Sequence, residues 1–291
     1  MGTKSIFVVM FLCVLVVANI ALADIFGSGE NQFTIDFVPI SGSTNPTSGY
    51  GIVNSDYRMG TYEVSNAQFA KFASNSNIYW TGADVPSNSV SWFEAAQFVN
   101  YLNTSTGNPA AYKFSSSTFS VWDVTDTGYD ASNPYRNSNA IYFLPTEDEW
   151  VKAAYWNGTN IQTWSNASTG DLIEGLPNPT KWNYSSSVGN EPWNATSGVK
   201  ELNNTYNMMG NVMEWTESPW NSGNYLSDSG RGLRGGSYYY DNYGLALSYR
   251  DDVVTPDFEH RAVGFRVASI PEPTTLLLLG LGGLVLRRVK L

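Results

Sequence analysis

The chain has 291 residues, with 16 Lys+Arg against 26 Asp+Glu, one His and one Cys. Hydrophobic residues at 42% exclude general disorder and supply a sizeable core, while charged residues at 14% fall below the roughly 25% usual in soluble domains. Aromatic residues reach 14%, so neutral polar and aromatic side chains carry much of the surface. Setting aside the two terminal segments, which hold Lys4, Arg287, Arg288, Lys290 and Glu272, moves the net charge from −10 to −13. A domain that acidic does not bind DNA or RNA by neutralising phosphates, and cations are its more natural partners.

The first 23 residues read as a secretory signal peptide. Lys4 supplies a positive start, Ile6 to Val17 an apolar run, and Ala21-Leu22-Ala23 a small-x-small cleavage site before Asp24. The alternative is an uncleaved anchor helix. Cys13 lies within this segment, so the mature chain is expected to hold no disulfide, thiolate metal site or thiol nucleophile.

Three helix starts follow, each with the S/T-x-x-E/Q capping box: Ser65 with Gln68, Ser91 with Glu94, and Thr146 with Glu149. The second helix places Trp92, Ala95, Ala96, Val99 and Leu102 on one face, and the third does so with Trp150, Ala153 and Ala154. Both stripes read as core. Glu147, Asp148 and Glu149 suit the first turn of the third helix, where the helix dipole favours acids. Beyond Gly158, Asn, Ser, Thr, Gly and aromatics alternate without another long amphipathic pattern. Strands are expected at Gly232–Tyr240 and Gly264–Ala268. No linker divides residues 24–270, which predicts one α+β domain with few helices, short strands and many loops.

At the C-terminus, Pro271-Glu272-Pro273 precedes an apolar stretch, Thr274 to Leu286, and then Arg287 and Arg288. At about 1.5 Å per residue this stretch spans roughly 20 Å, short of a hydrocarbon core of roughly 30 Å. The order of elements over residues 271–291 resembles a PEP-CTERM sorting signal, which implies an exosortase-type partner. It also implies passage across the inner membrane into the periplasm and then to the cell surface or extracellular matrix. Contact with the membrane is then confined to the two signal segments. A plain tail anchor is the alternative.

Within the body, YRMGTYEVSNAQFAKF, VPSNSVSWFEAAQFVNYLN, YFLPTEDEWVKAAYWNG, NMMGNVMEWTES, LRGGSYYY and VGFRVA occur in this order. Together they resemble the formylglycine-generating enzyme, or sulfatase-modifying factor, family. The resemblance implies a C-type-lectin-like fold across roughly residues 33–268. The oxidising members of that family use two cysteines shortly after R-G-G-S to bind copper. Here Tyr240 and Leu245 stand at those places, and His260 is the only histidine where the iron oxygenases have a cluster. Neither copper nor iron is therefore expected, and no catalytic residue is assigned. The reading favours a non-catalytic binding or structural module. The alternative is an oxidoreductase or hydrolase built from non-cysteine residues, with Asp251, Asp252 and Asp257 as its acids.

The resemblance further implies structural calcium. Asn207 and Glu214 would supply side-chain oxygens and Gly210 and Val212 main-chain carbonyls, an all-oxygen set that suits this ion. The other reading is that Asn207 and Glu214 only bond the local turn. Asn183 and Tyr184 match a second calcium site. The segment Tyr238, Tyr239, Tyr240, Asp241, Asn242 and Tyr243 lies where the enzymes floor their substrate groove, and its composition resembles a paratope. It reads equally as ligand-binding surface or as strand aromatics packed on both faces. Exopolysaccharide and a surface protein are the ligands this composition suits. Arg234, Arg250 and Arg266 are expected to pair with buried acids.

Overall fold

The computed structural model describes residues 22–74, 77–165, 182–185, 189–251 and 254–271. The signal-peptide segment up to Ala21 and the tail beyond Pro271 lie outside them, as does Asp252. Among the described residues, no helix is long and apolar enough to cross a membrane.

A five-stranded sheet organises the domain. Its strands are β1 (Leu22–Phe26), β2 (Phe33–Ile40), β3 (Tyr57–Gly60), β10 (Ala268–Ser269) and β6 (Tyr142–Phe143), adjacent in that order and antiparallel throughout. The remaining strands form a hairpin of β4 (Lys113–Ser115) with β5 (Thr118–Ser120), and a three-stranded sheet. In the latter, β7 (Met213–Pro219) lies between β8 (Arg231–Arg234) and the parallel β9 (Val263–Gly264).

The period of two along β2 explains the layering. Ile35 and Phe37 point to one face and Val38 and Ile40 to the other, and all four are buried. The first pair joins a cluster with Trp92, Phe98 and Phe265 around α2 (Trp92–Ser105). The second pair joins Trp150, Tyr155 and Met208 around α3 (Glu147–Tyr155). A sheet covered on both faces by a capped helix is the core of the molecule.

All three capping boxes are formed, including the one on α1 (Asn66–Phe69), which is a single turn. In each, the hydroxyl accepts from the third helical amide while the acid or amide side chain accepts from the cap's own N–H. Every residue of the two predicted stripes is buried. Arg234 and Arg250 both ion-pair with Glu147 Oε1, at 2.7 Å each, so the acidic start of α3 is shared between two guanidinium groups.

The strand expected over Gly232–Tyr240 stops at Arg234. Gly235 and Gly236 take φ of 95° and 65°, a left-handed pair that turns the chain out of the sheet. The segment expected at Gly264–Ala268 is likewise divided between β9 and β10. Arg266 sits between them, its side chain turned into the core.

Candidate functional site

The loop leading into β7 is shaped by three left-handed residues, Asn207, Gly210 and Asn211. Its amides point at acids. Met208 N and Met209 N donate to Glu201 at 2.7 and 3.2 Å, and Val212 N donates to Glu63 at 3.2 Å. Asn211 Nδ2 adds a bond to Glu63 at 2.7 Å. Glu214, on β7, receives Arg266 Nε and Nη2 at 2.6 Å each and Trp150 Nε1 at 2.8 Å. Three buried carboxyls thus surround one buried guanidinium. Burial pushes the Glu63 carboxyl well above its ordinary range and the Glu201 carboxyl up to about 8.

Gly210 cannot be replaced at this crossing. A Cβ there would stand 2.2 Å from Asn183 O, on a residue whose φ is +83°. Gly210→Ala is expected to lower the thermal midpoint by several degrees, read by circular dichroism. A variant melting with the wild type would mean that the loop is loose.

The second predicted pair lies against this loop. Asn183 is fully buried. Its main-chain oxygen accepts from Asn211 N at 2.8 Å, and its Nδ2 donates to Glu191 O at 2.9 Å and to Asn211 Oδ1 at 3.2 Å. Its Oδ1 has no hydrogen-bond partner among the described residues. Tyr184 is buried in the cluster around α3. Trp193 closes the arrangement, donating from Nε1 to Asn207 Oδ1 at 3.0 Å and from its main chain to Asn211 Oδ1 at 2.9 Å.

These contacts separate the two oxygen sets implied for calcium. The Glu214 carboxylate and Asn207 Oδ1 already accept from Arg266, Trp150 and Trp193, so a cation there competes with protein donors. The side-chain Oδ1 of Asn183 is buried and without a donor among the described residues, the condition a hard cation satisfies. Glu191 meets Asn183 through its main-chain oxygen, its side chain lying exposed. The spacing Asn183–Glu191 was open to sequence inspection, but the direction of the two side chains was not.

The tyrosine segment is joined to the same loop. Tyr238 N donates to Asn211 O at 2.9 Å, and Gly235 O accepts from Gly210 N at 2.8 Å. Residues 238–240 form a turn, and their side chains divide as follows. Tyr238 is fully buried and its hydroxyl accepts from Trp80 Nε1 at 3.3 Å. Tyr239 is 38% exposed and stacks on Tyr240, with ring centroids 4.9 Å apart. Tyr240 bonds Asp251 Oδ2 at 3.1 Å, and Tyr249 bonds Asp251 Oδ1 at 3.2 Å. Asp241 caps the short 3-10 turn Asn242–Leu245, bonding Tyr243 N and Gly244 N. Asn242 is half-buried, and Tyr243 is 64% exposed.

Sequence reasoning missed the partners of this segment. Trp80 and Trp193, with Thr81, Glu191 and Asn194, line a recess of about 410 Å³. Trp80 meets the buried Tyr238 ring edge-on at 5.9 Å, so the wall of the recess packs against the tyrosine turn. Exposed Tyr79 lies beside it, bonded to Arg261 at 3.1 Å. Trp80 and Trp193 are 113 positions apart and share no motif, so only the fold brings them together. His260 stacks on Phe258, and burial lowers its pKa. Asp257 is exposed.

Comparison with known proteins now bears on this geometry. The family model described as "Sulfatase-modifying factor enzyme 1-like domain" matches residues 27–270. The chain belongs to that family. A second model, the PEP-CTERM protein-sorting motif, matches residues 269–290, which implies export to the cell envelope or surface and recognition by exosortase-type machinery. The chaperone protein LppX of Paenibacillus barcinonensis is 25% identical over 232 residues, covering 71% of this chain and 79% of its own. Variable protein 1 of Treponema denticola superimposes with a TM-score of 0.66 at 21% identity, over 86% of this chain and 99% of that one. CarF gives 0.56 at 20%, over 82% and 99%. PvdO from Pseudomonas aeruginosa gives 0.55 at 14%, over 85% and 98%. These three structures show the fold. The two residues that the resemblance sets about where the oxidising enzymes have cysteines are Tyr240, bonded to Asp251, and the fully buried Leu245.

Proposed function

We propose that this protein is a non-catalytic, calcium-stabilised ligand-binding module, exported and held at the cell surface. The observation that carries the reading is the recess lined by Trp80 and Trp193 with Glu191 and Asn194, with exposed Tyr79 packed on Trp80 and part-exposed Tyr239 joined to it through the buried Tyr238 ring. Aromatic rings over which sugar C–H faces pack, with amides and carboxylates to bond hydroxyls, suit an exopolysaccharide. The chemistry of the segment agrees with binding. Burial pushes the Tyr239 and Tyr240 hydroxyls up, so both stay neutral at pH 7 and are poor nucleophiles. With its only cysteine at position 13, the folded domain has no thiolate for copper.

In this reading calcium is held at Asn183 Oδ1, with the exposed Glu191 as the nearest acid in sequence. The ion would staple the 183–193 stretch to the loop that carries the tyrosine turn. Protein purified without chelator is expected to carry calcium by mass spectrometry and to melt several degrees lower after chelation. Asn183→Ala should abolish that chelator effect. Binding of soluble exopolysaccharide should weaken roughly tenfold in Tyr239→Ala and in Trp193→Ala. Stoichiometric copper or iron, or unaltered binding in both variants, would refute the reading.

A further inference from the structure

A second recess lies on the far side of β2 and β3 from α2 and shares no residue with the aromatic surface. Its volume is about 260 Å³, near the lower end of cavities that enclose small ligands, roughly 300 Å³. Val38 and Pro39 form an apolar floor. The Tyr62 and Tyr206 rings stand 5.0 Å apart and tilted by 40°, and both remain partly open to solvent. Around them stand Asp36, Thr61, Lys200 and Asn204.

The polar members of this lining are available. Thr61 is 94% buried, yet its hydroxyl has no hydrogen-bond partner. Such a group costs stability unless something satisfies it. Asp36 and Lys200 are exposed, and neither makes an ion pair among the described residues. One negative and one positive group across a small recess leave it close to neutral. It therefore disfavours both anions and cations relative to an uncharged polyol. Tyrosine faces accept the C–H face of a pyranose, while the carboxylate, amide, ammonium and hydroxyl bond its hydroxyls in both directions.

We infer that this recess binds one neutral sugar residue of a glycan, at a site separate from the Trp80–Trp193 surface. Two separate sugar sites on one molecule would give a gain in avidity for a polysaccharide that neither site supplies alone.

Saturation-transfer NMR on the full chain, with glucose, galactose and N-acetylglucosamine as millimolar probes, tests the inference. At least one sugar is expected to bind. Asp36→Asn, an exposed change that leaves the core untouched, should weaken it roughly tenfold, as should Tyr62→Ala. Tyr239→Ala should leave it unchanged, so that failure here and failure of the aromatic-surface reading remain distinguishable. Absence of transfer from all three sugars would overturn the inference. So would a signal that survives Asp36→Asn and Tyr62→Ala, or glucuronate binding more tightly than glucose.

Discussion

Arg266→Met is expected to be the most damaging single substitution in the domain, at about 3–5 kcal/mol. The Arg266 side chain is wholly buried. It makes two 2.6 Å bonds to Glu214 and donates to the main-chain oxygens of Gly60, at 3.0 Å, and Tyr206, at 2.9 Å. Methionine fills much of the same volume but leaves Glu214 with Trp150 as its one remaining side-chain donor. It also leaves Glu63, Glu201 and Glu214 close together with no buried cation. For a domain of this size the loss corresponds to a fall of roughly 10 °C in the thermal midpoint. Pairing Arg266→Met with Glu214→Gln should recover part of the loss, because the second change removes the orphaned charge. Lys113→Met, which breaks the solvent-exposed pairs with Asp123 and Asp126, should leave the midpoint nearly where it was. If Arg266→Met and Lys113→Met melt alike, the buried pair does not hold the fold together.

The second large effect is a fall in stability with rising pH. Glu201 is fully buried, and burial outweighs its three donors, Trp182 Nε1 and the amides of Met208 and Met209. Its carboxyl rises from 4.5 to about 8. The folded chain therefore keeps this proton to higher pH than the unfolded chain does. The contribution is complete below pH 4.5, declines as pH rises and is gone above pH 8, a change on the order of 4 kcal/mol. Glu217 and Asp148, also raised by burial, act in the same direction. Asp123 and Asp130, whose pKa values are lowered by hydrogen bonds from Thr125 and Ser132, act only in stronger acid. Thermal midpoints measured from pH 5 to pH 9 should drop steadily. Glu201→Gln, which keeps one acceptor oxygen and removes the titrating group, should flatten the curve. A wild-type midpoint that climbs with pH would contradict this account.

What the sequence disclosed follows from how local each device is. A capping box is complete within four residues, so Ser65, Ser91 and Thr146 announce three helices without any knowledge of the fold. The α2 stripe repeats every three to four residues and reads as core for the same reason. The double glycine after Arg234 was also visible, but the run of tyrosines beyond it suggested a longer strand than the left-handed pair allows. Glu63 lies in a recognisable segment, yet its role is to hold amides and an asparagine nearly 150 positions away. No spacing rule encodes that. Likewise, Asn183, Trp193 and Asn211 become one unit only when the loop before β7 crosses the 183–193 stretch. The proposed binding surface was half legible, because its tyrosines are consecutive while its tryptophans come from two distant loops.

The position of β10 has a mechanical consequence. This two-residue strand lies inside the sheet, between β3 and β6, and the chain leaves it directly toward the sorting motif, with Ile270 N still bonded to Ile141 O. Tension on the tail therefore enters the domain through its interior and loads two ladders in shear. The next anchor upstream is Arg266, bolted to Glu214. A domain pulled through an edge strand would peel one bond at a time; pulled through this tail, the sheet and the buried ion pair would resist together.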